Sequence, residues 1–244
     1  MSVLVHYSGR LGNNILQYCM GSYLAHKFNL FFDKHLDLND DFEINKKESG
    51  RSIGNHIEVN DDNLQELLSK KSIDSGIKLN GWFSSKYIFE NEEILFHYRN
   101  CIIPKYVDNT SDLFVHVRLG DIDNKFNLPY DYYHQQISST SYNNCFISSD
   151  SPNHEIIKKL KDNFKNVQLF TGFSPSFAIR YGANCKNLVL SAGTFSFCML
   201  LFNRCDAEVY CIDNETMRDK FNIKQWTGDM FSAFAGKDRC HFYS

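Results

Sequence analysis

The run Leu113-Phe-Val-His-Val-Arg-Leu-Gly-Asp121 decides how this chain is to be read. Its apolar residues Leu113, Phe114, Val115 and Val117 have the length and composition of a short buried strand, bounded by a Gly-Asp turn. The strand delivers His116 and Arg118 to that turn, so a basic side chain arrives at the strand's C-terminal edge. In open α/β sheets this edge is where ligands bind, and a guanidinium offers a planar fork of donors suited to phosphate oxygens. A core strand whose arginine snorkels outward has the same local pattern, so the rest of the chain must decide between them.

Beyond this strand the pattern is regular. Helices are expected near Tyr130 to Ile137, His154 to Phe164, Ser174 to Tyr181 and Phe195 to Cys205. Strands are expected at Cys145–Ser148, Val167–Phe170, Leu188–Leu190 and Glu208–Ile212. Strands alternating with helices at this spacing imply right-handed crossovers and a parallel sheet, so residues 109 to about 215 read as a Rossmann-type half. Three of its turns face one sheet edge: Arg118-Leu-Gly-Asp121, Ser148-Ser-Asp-Ser151 and Ser191-Ala-Gly-Thr-Phe-Ser196. The last opens a strongly apolar helix with hydroxyls at Thr194 and Ser196, and the amides of a helix start can receive a phosphate. An ordinary N-cap has the same composition. Asp150 fits either a cap on the following helix or a contact to a ribose or base.

The first half is looser. Val3 to Tyr7 reads as a strand, Ser8 to Asn14 as a glycine-containing turn, and the segment to Phe28 as a helix. Gly9 and Gly12 allow close backbone approach there, with Asn13 placed to cap the helix. No third glycine or ribose-binding acid follows, so the turn fails as a dinucleotide fingerprint. Residues 33 to 75 are polar and read as a looped surface with one or two short helices. Ile77 to Phe83 reads as a strand and turn, and Lys86 to Tyr98 as one helix. The stretch from Pro104 to Asp112 is the candidate linker, and the tail beyond 215 is allowed to cross back to the first half.

Composition bounds the function classes. At 244 residues the chain can bury a sizeable core. A formal net charge of -3 argues against nucleic acid as the main partner. The eight cysteines include no Cys-x-x-Cys pair and mostly sit in apolar runs, which favours reduced core thiols over a zinc cage. No run is long enough for a transmembrane segment and the N-terminus has no signal-peptide pattern, so a soluble cytoplasmic location is expected.

Taken together, the motifs resemble those of the α-1,2-fucosyltransferase (galactoside 2-α-L-fucosyltransferase) family. Gly9-Arg-Leu-Gly-Asn13 with Gln17-Tyr18 resembles the family's first turn, and Asn80-Gly-Trp-Phe-Ser-Ser-Lys-Tyr87 a second block. His116-Val-Arg-Leu-Gly-Asp121 resembles the His-x-Arg-Arg-x-Asp signature, and Pro129-Tyr-Asp-Tyr-Tyr133 the Pro-x-x-Tyr-Tyr after it. Phe146-Ile-Ser-Ser-Asp150 and Leu190-Ser-Ala-Gly-Thr-Phe-Ser196 follow in the family's order.

The resemblance implies a compact GT-B-like α/β fold of two facing Rossmann-type domains. Residues 1–108 would be the acceptor side and 109–244 the nucleotide-sugar side. It implies an inverting glycosyltransferase, metal-independent and without a cofactor, moving L-fucose from GDP-fucose to a glycan acceptor in α-1,2 linkage. Arg118 matches the arginine that contacts the donor phosphate. His116 and Asp150 would lie by the nucleotide, Gly193, Thr194, Phe195 and Ser196 by the diphosphate, and Gly12 with Asn13 near the donor from the other domain. Arg118, Asp121 and Asn13 are the candidate catalytic residues. Asp121 is placed either to take the acceptor proton or to cap its turn. The chain departs from the family at Leu119 in place of a second arginine, at Ala192-Gly193, and at Asn14 in place of glutamine. These departures keep open a non-catalytic nucleotide-sugar or glycan binder on the same scaffold, or a transferase using another nucleotide sugar. A dinucleotide-dependent oxidoreductase is the rival from another class.

Overall fold

Short apolar strands alternating with helices assemble two parallel sheets. The computed structural model describes residues 1–32, 36–44, 54–108, 112–120, 127–221, 230–234 and 239–243. The chain divides into two compact units, Met1–Ile103 and Pro104–Ser244.

In the first unit, β1 (Ser2–Val5) leads through the glycine turn into α1 (Leu11–Lys27), and β2 (Phe31–Phe32) follows. The polar stretch then supplies β3 (Phe42–Ile44), β4 (His56–Val59) and α2 (Leu64–Ser69), so it contains sheet as well as the expected short helix. Next come β5 (Gly76–Leu79), α3 (Lys86–Glu90), α4 (Glu92–Cys101) and β6 (Ile102–Pro104). The main sheet has the order β2-β1-β5-β4 with parallel pairing, and β3 pairs with β6.

Two local expectations differ from the structure here. Asn13 does not cap α1: the helix begins at Leu11 behind Arg10, which puts Asn13 inside the first turn. The helix expected over Lys86 to Tyr98 is broken at Asn91, whose side chain accepts the amides of Glu93 and Ile94 and starts a new helix.

The second unit runs β7 (Leu113–Val117), α5 (Tyr130–Ser139), β8 (Cys145–Ser149), α6 (Glu155–Asn163), β9 (Val167–Leu169), α7 (Pro175–Ala183), β10 (Asn187–Leu190), α8 (Thr194–Phe202), β11 (Glu208–Cys211) and α9 (Asn214–Phe221). A 3-10 turn at Phe231–Phe234 and β12 (Cys240–Phe242) complete it. The sheet order is β12-β11-β10-β7-β8-β9, parallel throughout. The tail's strand β12 extends this sheet beside β11, with Val209 opposite Cys240.

Strand periodicity sorts the core. Leu113, Val115, Val117 and Leu119 are at most 3% exposed and pack with Tyr132, Tyr133, Ile157 and Leu160 from α5 and α6. The opposite face carries Phe114, whose ring meets Phe170 at 5.1 Å and Tyr181 at 5.7 Å. Each fully buried side chain of this size contributes about 1.5–3 kcal/mol, which is why the central strand is fixed in register. That register sends His116 to the same face as Phe114 and carries Arg118 past the strand end. From β7 the chain proceeds outward through β8 and β9, then returns to lay β10 on β7's other side. The reversal puts a topological switch point between the C-terminal ends of β7 and β10, where open α/β sheets bind ligands.

Candidate functional site

At this switch point the Arg118 guanidinium lies against the backbone of Gly193. An ideal β-carbon built on Gly193 would fall 2.5 Å from Arg118 Nη1 and 3.6 Å from Cζ. Gly193 also has φ +114°, a conformation that side chains rarely adopt, so the residue type meets both the backbone and the packing requirement. Gly193 is the N-cap of α8, which begins with no side-chain cap and no acidic residue in its first turn. First-turn amides have no acceptor within their own helix, and the helix dipole is positive at this end. An arginine and a helix start distant in sequence therefore converge at one sheet edge.

Beneath them lies a buried polar cluster. His116 Nδ1 is 2.6 Å from Ser196 Oγ and 3.0 Å from Ser191 Oγ, and the two hydroxyls are 3.0 Å apart. Ser196 is fully buried, Ser191 is 2% exposed and His116 is 7% exposed. The His116 ring also lies 4.9 Å from that of Phe195. These contacts tie the end of β7 to the start of α8, and the backbone agrees, since Ser191 N donates to His116 O. The Ser196 hydroxyl thus serves the framework of the turn. Tyr132 reinforces it by donating its hydroxyl to Leu190 O at 2.7 Å, and burial pushes the Tyr133 hydroxyl's pKa up beside Ser191 and Asp150.

Asp150 does not cap α6, whose N-cap is His154. Its Oδ1 accepts the amides of Leu119 at 2.8 Å and Gly120 at 2.9 Å, pinning the turn that follows Arg118. Leu119 points into the core at 3% exposure, so this position presents no second cation. The structure therefore brings His116, Arg118, Asp150, Gly193, Thr194, Phe195 and Ser196 to one edge of one sheet. Asp121 lies outside the described residues.

Gly12 and Asn13 belong to the first unit, in the opening turn of α1. A β-carbon on Gly9, at φ +77°, would collide with the Asn13 amide and come 2.9 Å from the Trp82 ring. Gln17, fully buried, holds this turn by donating to Ser8 Oγ at 3.0 Å and Gly81 O at 2.9 Å. Asp61 accepts the amides of Trp82 and Phe83 at 2.6 and 2.8 Å, leaving Trp82 half exposed beside Gly9. In the sequence, Ser191 and Trp82 stand inside motif blocks without a role of their own, and Asp61, in a polar stretch, carries no local signal.

No family model and no curated protein matches the chain. Among solved structures it is similar to NodZ α-1,6-fucosyltransferase co-crystallised with GDP, with a TM-score of 0.58 at 13% identity over 87% of this chain and 94% of that one. It is similar to the same enzyme soaked with GDP-fucose, with a TM-score of 0.57 at 12% identity over 82% and 91% of the two chains. NodZ from Bradyrhizobium gives 0.55 at 12% identity over 81% and 91%. The fold is GT-B. At this identity the likeness is one of architecture, and GT-B units with parallel sheets account for both halves of the chain. Among the described residues of this GT-B chain no helix is long and apolar enough to cross a membrane.

Proposed function

We propose that the chain is an inverting glycosyltransferase that moves L-fucose from GDP-fucose to a glycan hydroxyl, in α-1,2 linkage and without a metal. The observation that carries the reading is the convergence of Arg118 on Gly193 at the start of α8. Two further points support it: six motif blocks that resemble those of fucosyltransferases, and a fold similar to that of an enzyme co-crystallised with GDP and soaked with GDP-fucose.

In this reaction the acceptor oxygen forms a bond to the anomeric carbon while the bond from that carbon to the β-phosphate oxygen breaks. GDP departs with the electron pair. The step needs stabilisation of charge developing on the diphosphate, around an oxocarbenium-like centre. Arg118 supplies a fixed cation and donor fork, and the amides from Gly193 to Ser196 supply the positive end of a helix. The acceptor proton goes to Asp121, or, in a route without a protein base, to an oxygen of the departing diphosphate held by Arg118. His116 and Asp150 act by holding the two halves of the cradle in register, with Asp150 near the nucleoside.

Purified protein should release GDP from GDP-fucose, faster with a galactoside acceptor present. Arg118→Ala should lower this by roughly a hundred- to a thousandfold with the fold retained, by analogy with loss of one oxyanion donor. Wild-type turnover in Arg118→Ala would end the assignment. A second reading, a nucleotide-sugar binder without turnover, is favoured by one observation: Leu119 is buried where the family signature has a second arginine. Binding of GDP-fucose with neither hydrolysis nor transfer would select it.

A further inference from the structure

The first unit contains a cavity of about 360 Å³ between the second half of α1, β2 and α4. It is not part of the glycine turn: Asn13 and His26 lie roughly 20 Å apart along α1 at the helical rise per residue. Its volume falls in the range of small-molecule sites, about 300–1,000 Å³. Phe32, Ala25 and Cys101 give it an apolar floor, with Phe32 held edge-on by Tyr18 at 5.0 Å.

The walls are polar but hold no fixed cation. Ser22 Oγ is 3.0 Å from His97 Nε2, and the His97 ring is 5.6 Å from both His26 and Tyr23. Burial, with His26 adding to it, pulls the His97 pKa down to about 4, so this imidazole is neutral at physiological pH. Tyr23 hydrogen-bonds to Glu93, and burial with that carboxylate pushes its pKa up to about 12. Asn100 Nδ2 is committed to Phe96 O at 2.7 Å, which leaves its oxygen as the acceptor on the rim. Phe96 itself is 71% exposed at the mouth.

These features select a ligand class. The Glu93 carboxylate beside the neutral His97 ring disfavours phosphates and other anions. Among the described residues no group of three or more His, Cys, Asp or Glu could hold a metal ion. What remains is an exposed aromatic face flanked by a carboxylate, an amide oxygen, a hydroxyl and imidazole edges. That combination complements a polyol, whose C–H face stacks on the ring while its hydroxyls both donate and accept. We propose that this cavity is a second carbohydrate site, binding a neutral sugar unit on Phe96 with Glu93, Asn100, His26 and Ser22 as its polar partners. The site stands whether or not the chain transfers fucose.

The test is a titration of the full chain with lactose, N-acetyllactosamine and chitotriose, following the histidine ring resonances by NMR. His26→Gln and His97→Gln identify the two signals. At least one of these sugars should shift both signals saturably. Phe96→Ala and Glu93→Gln should each weaken that binding by roughly tenfold, about the worth of one aromatic or charged contact. Glu92→Gln, on the same helix but outside the cavity, should not. Phe96 is mostly exposed and its removal leaves the fold intact, which thermal unfolding of the variant verifies. Unmoved histidine signals with all three sugars, or binding indifferent to both substitutions, would overturn the proposal. So would stronger shifts from inorganic phosphate or zinc than from any sugar.

Discussion

Arg118 Nη1 occupies space that only a glycine at position 193 leaves open, since a β-carbon there would sit 2.5 Å away. The two residues belong to the exits of adjacent parallel strands, β7 and β10, and it is the φ of +114° that favours glycine at 193. Gly193→Ala should therefore act at a distance from its own size. The added methyl pushes the guanidinium off the start of α8, and alanine at φ +114° strains the turn. GDP-fucose turnover should fall by about a hundredfold, the order expected when one charge-stabilising donor is displaced. Steady-state kinetics beside a thermal melt would show whether activity falls further than stability.

The cluster of His116, Ser191 and Ser196 is buried and mutually bonded. Ser196→Ala removes one hydroxyl and leaves its buried neighbours short of a partner, which costs about 1–3 kcal/mol. Urea unfolding should show the loss as a lower midpoint with an unchanged slope. A midpoint equal to that of the wild type would mean that the cluster does not hold the turn.

In the first unit, Phe83 is fully buried at φ +51°, a strained conformation for an aromatic residue. Asp61 holds it there by accepting two consecutive amides. Asp61→Ala should destabilise by about 2 kcal/mol or more, and Asp61→Asn, which keeps one acceptor oxygen, by less. The ordering of the two unfolding midpoints is the check.

How much of this was legible in the sequence follows from where each signal resides. The second unit's strands were readable because each is a short apolar run between turn residues, and β7, β8 and β10 begin and end within a residue or two of expectation. The break between α3 and α4 was missed because Tyr87, Ile94 and Tyr98 keep helical spacing across it. The signal was Asn91 followed by Glu92 and Glu93, a cap with acids in the first turn. β4 was hidden in a polar stretch because it has little apolar face to show, and its place is set by pairing with β5. At the site, Arg118 and the Gly193 turn were individually ambiguous. Their convergence depends on β10 returning to β7's open side, a property of sheet order that no local pattern carries.

His97 makes stability depend on pH. Its folded-state pKa, about 4, lies below the ordinary 6.5, so between these values the unfolded chain binds the proton and the folded chain does not. Stability from this group is complete above pH 6.5 and is lost as pH falls toward 4. The loss is about 2 kcal/mol once solvent screening of a partly exposed ring is allowed for. His97→Gln should flatten the profile over that window, as read from unfolding midpoints at pH 7 and pH 4.5.

The most direct measurement is the change in melting temperature produced by GDP in the wild type and in Arg118→Ala, with UDP, dTDP, CMP and NAD as comparisons. A ligand bound only by the folded state must raise the midpoint, and GDP at a hundred times its Kd adds about 2.7 kcal/mol. The expected result is a clear rise with GDP in the wild type, little with the other nucleotides, and its loss in Arg118→Ala. An equal rise in both proteins, or none with GDP in either, would contradict a diphosphate held between Arg118 and the helix that Gly193 opens.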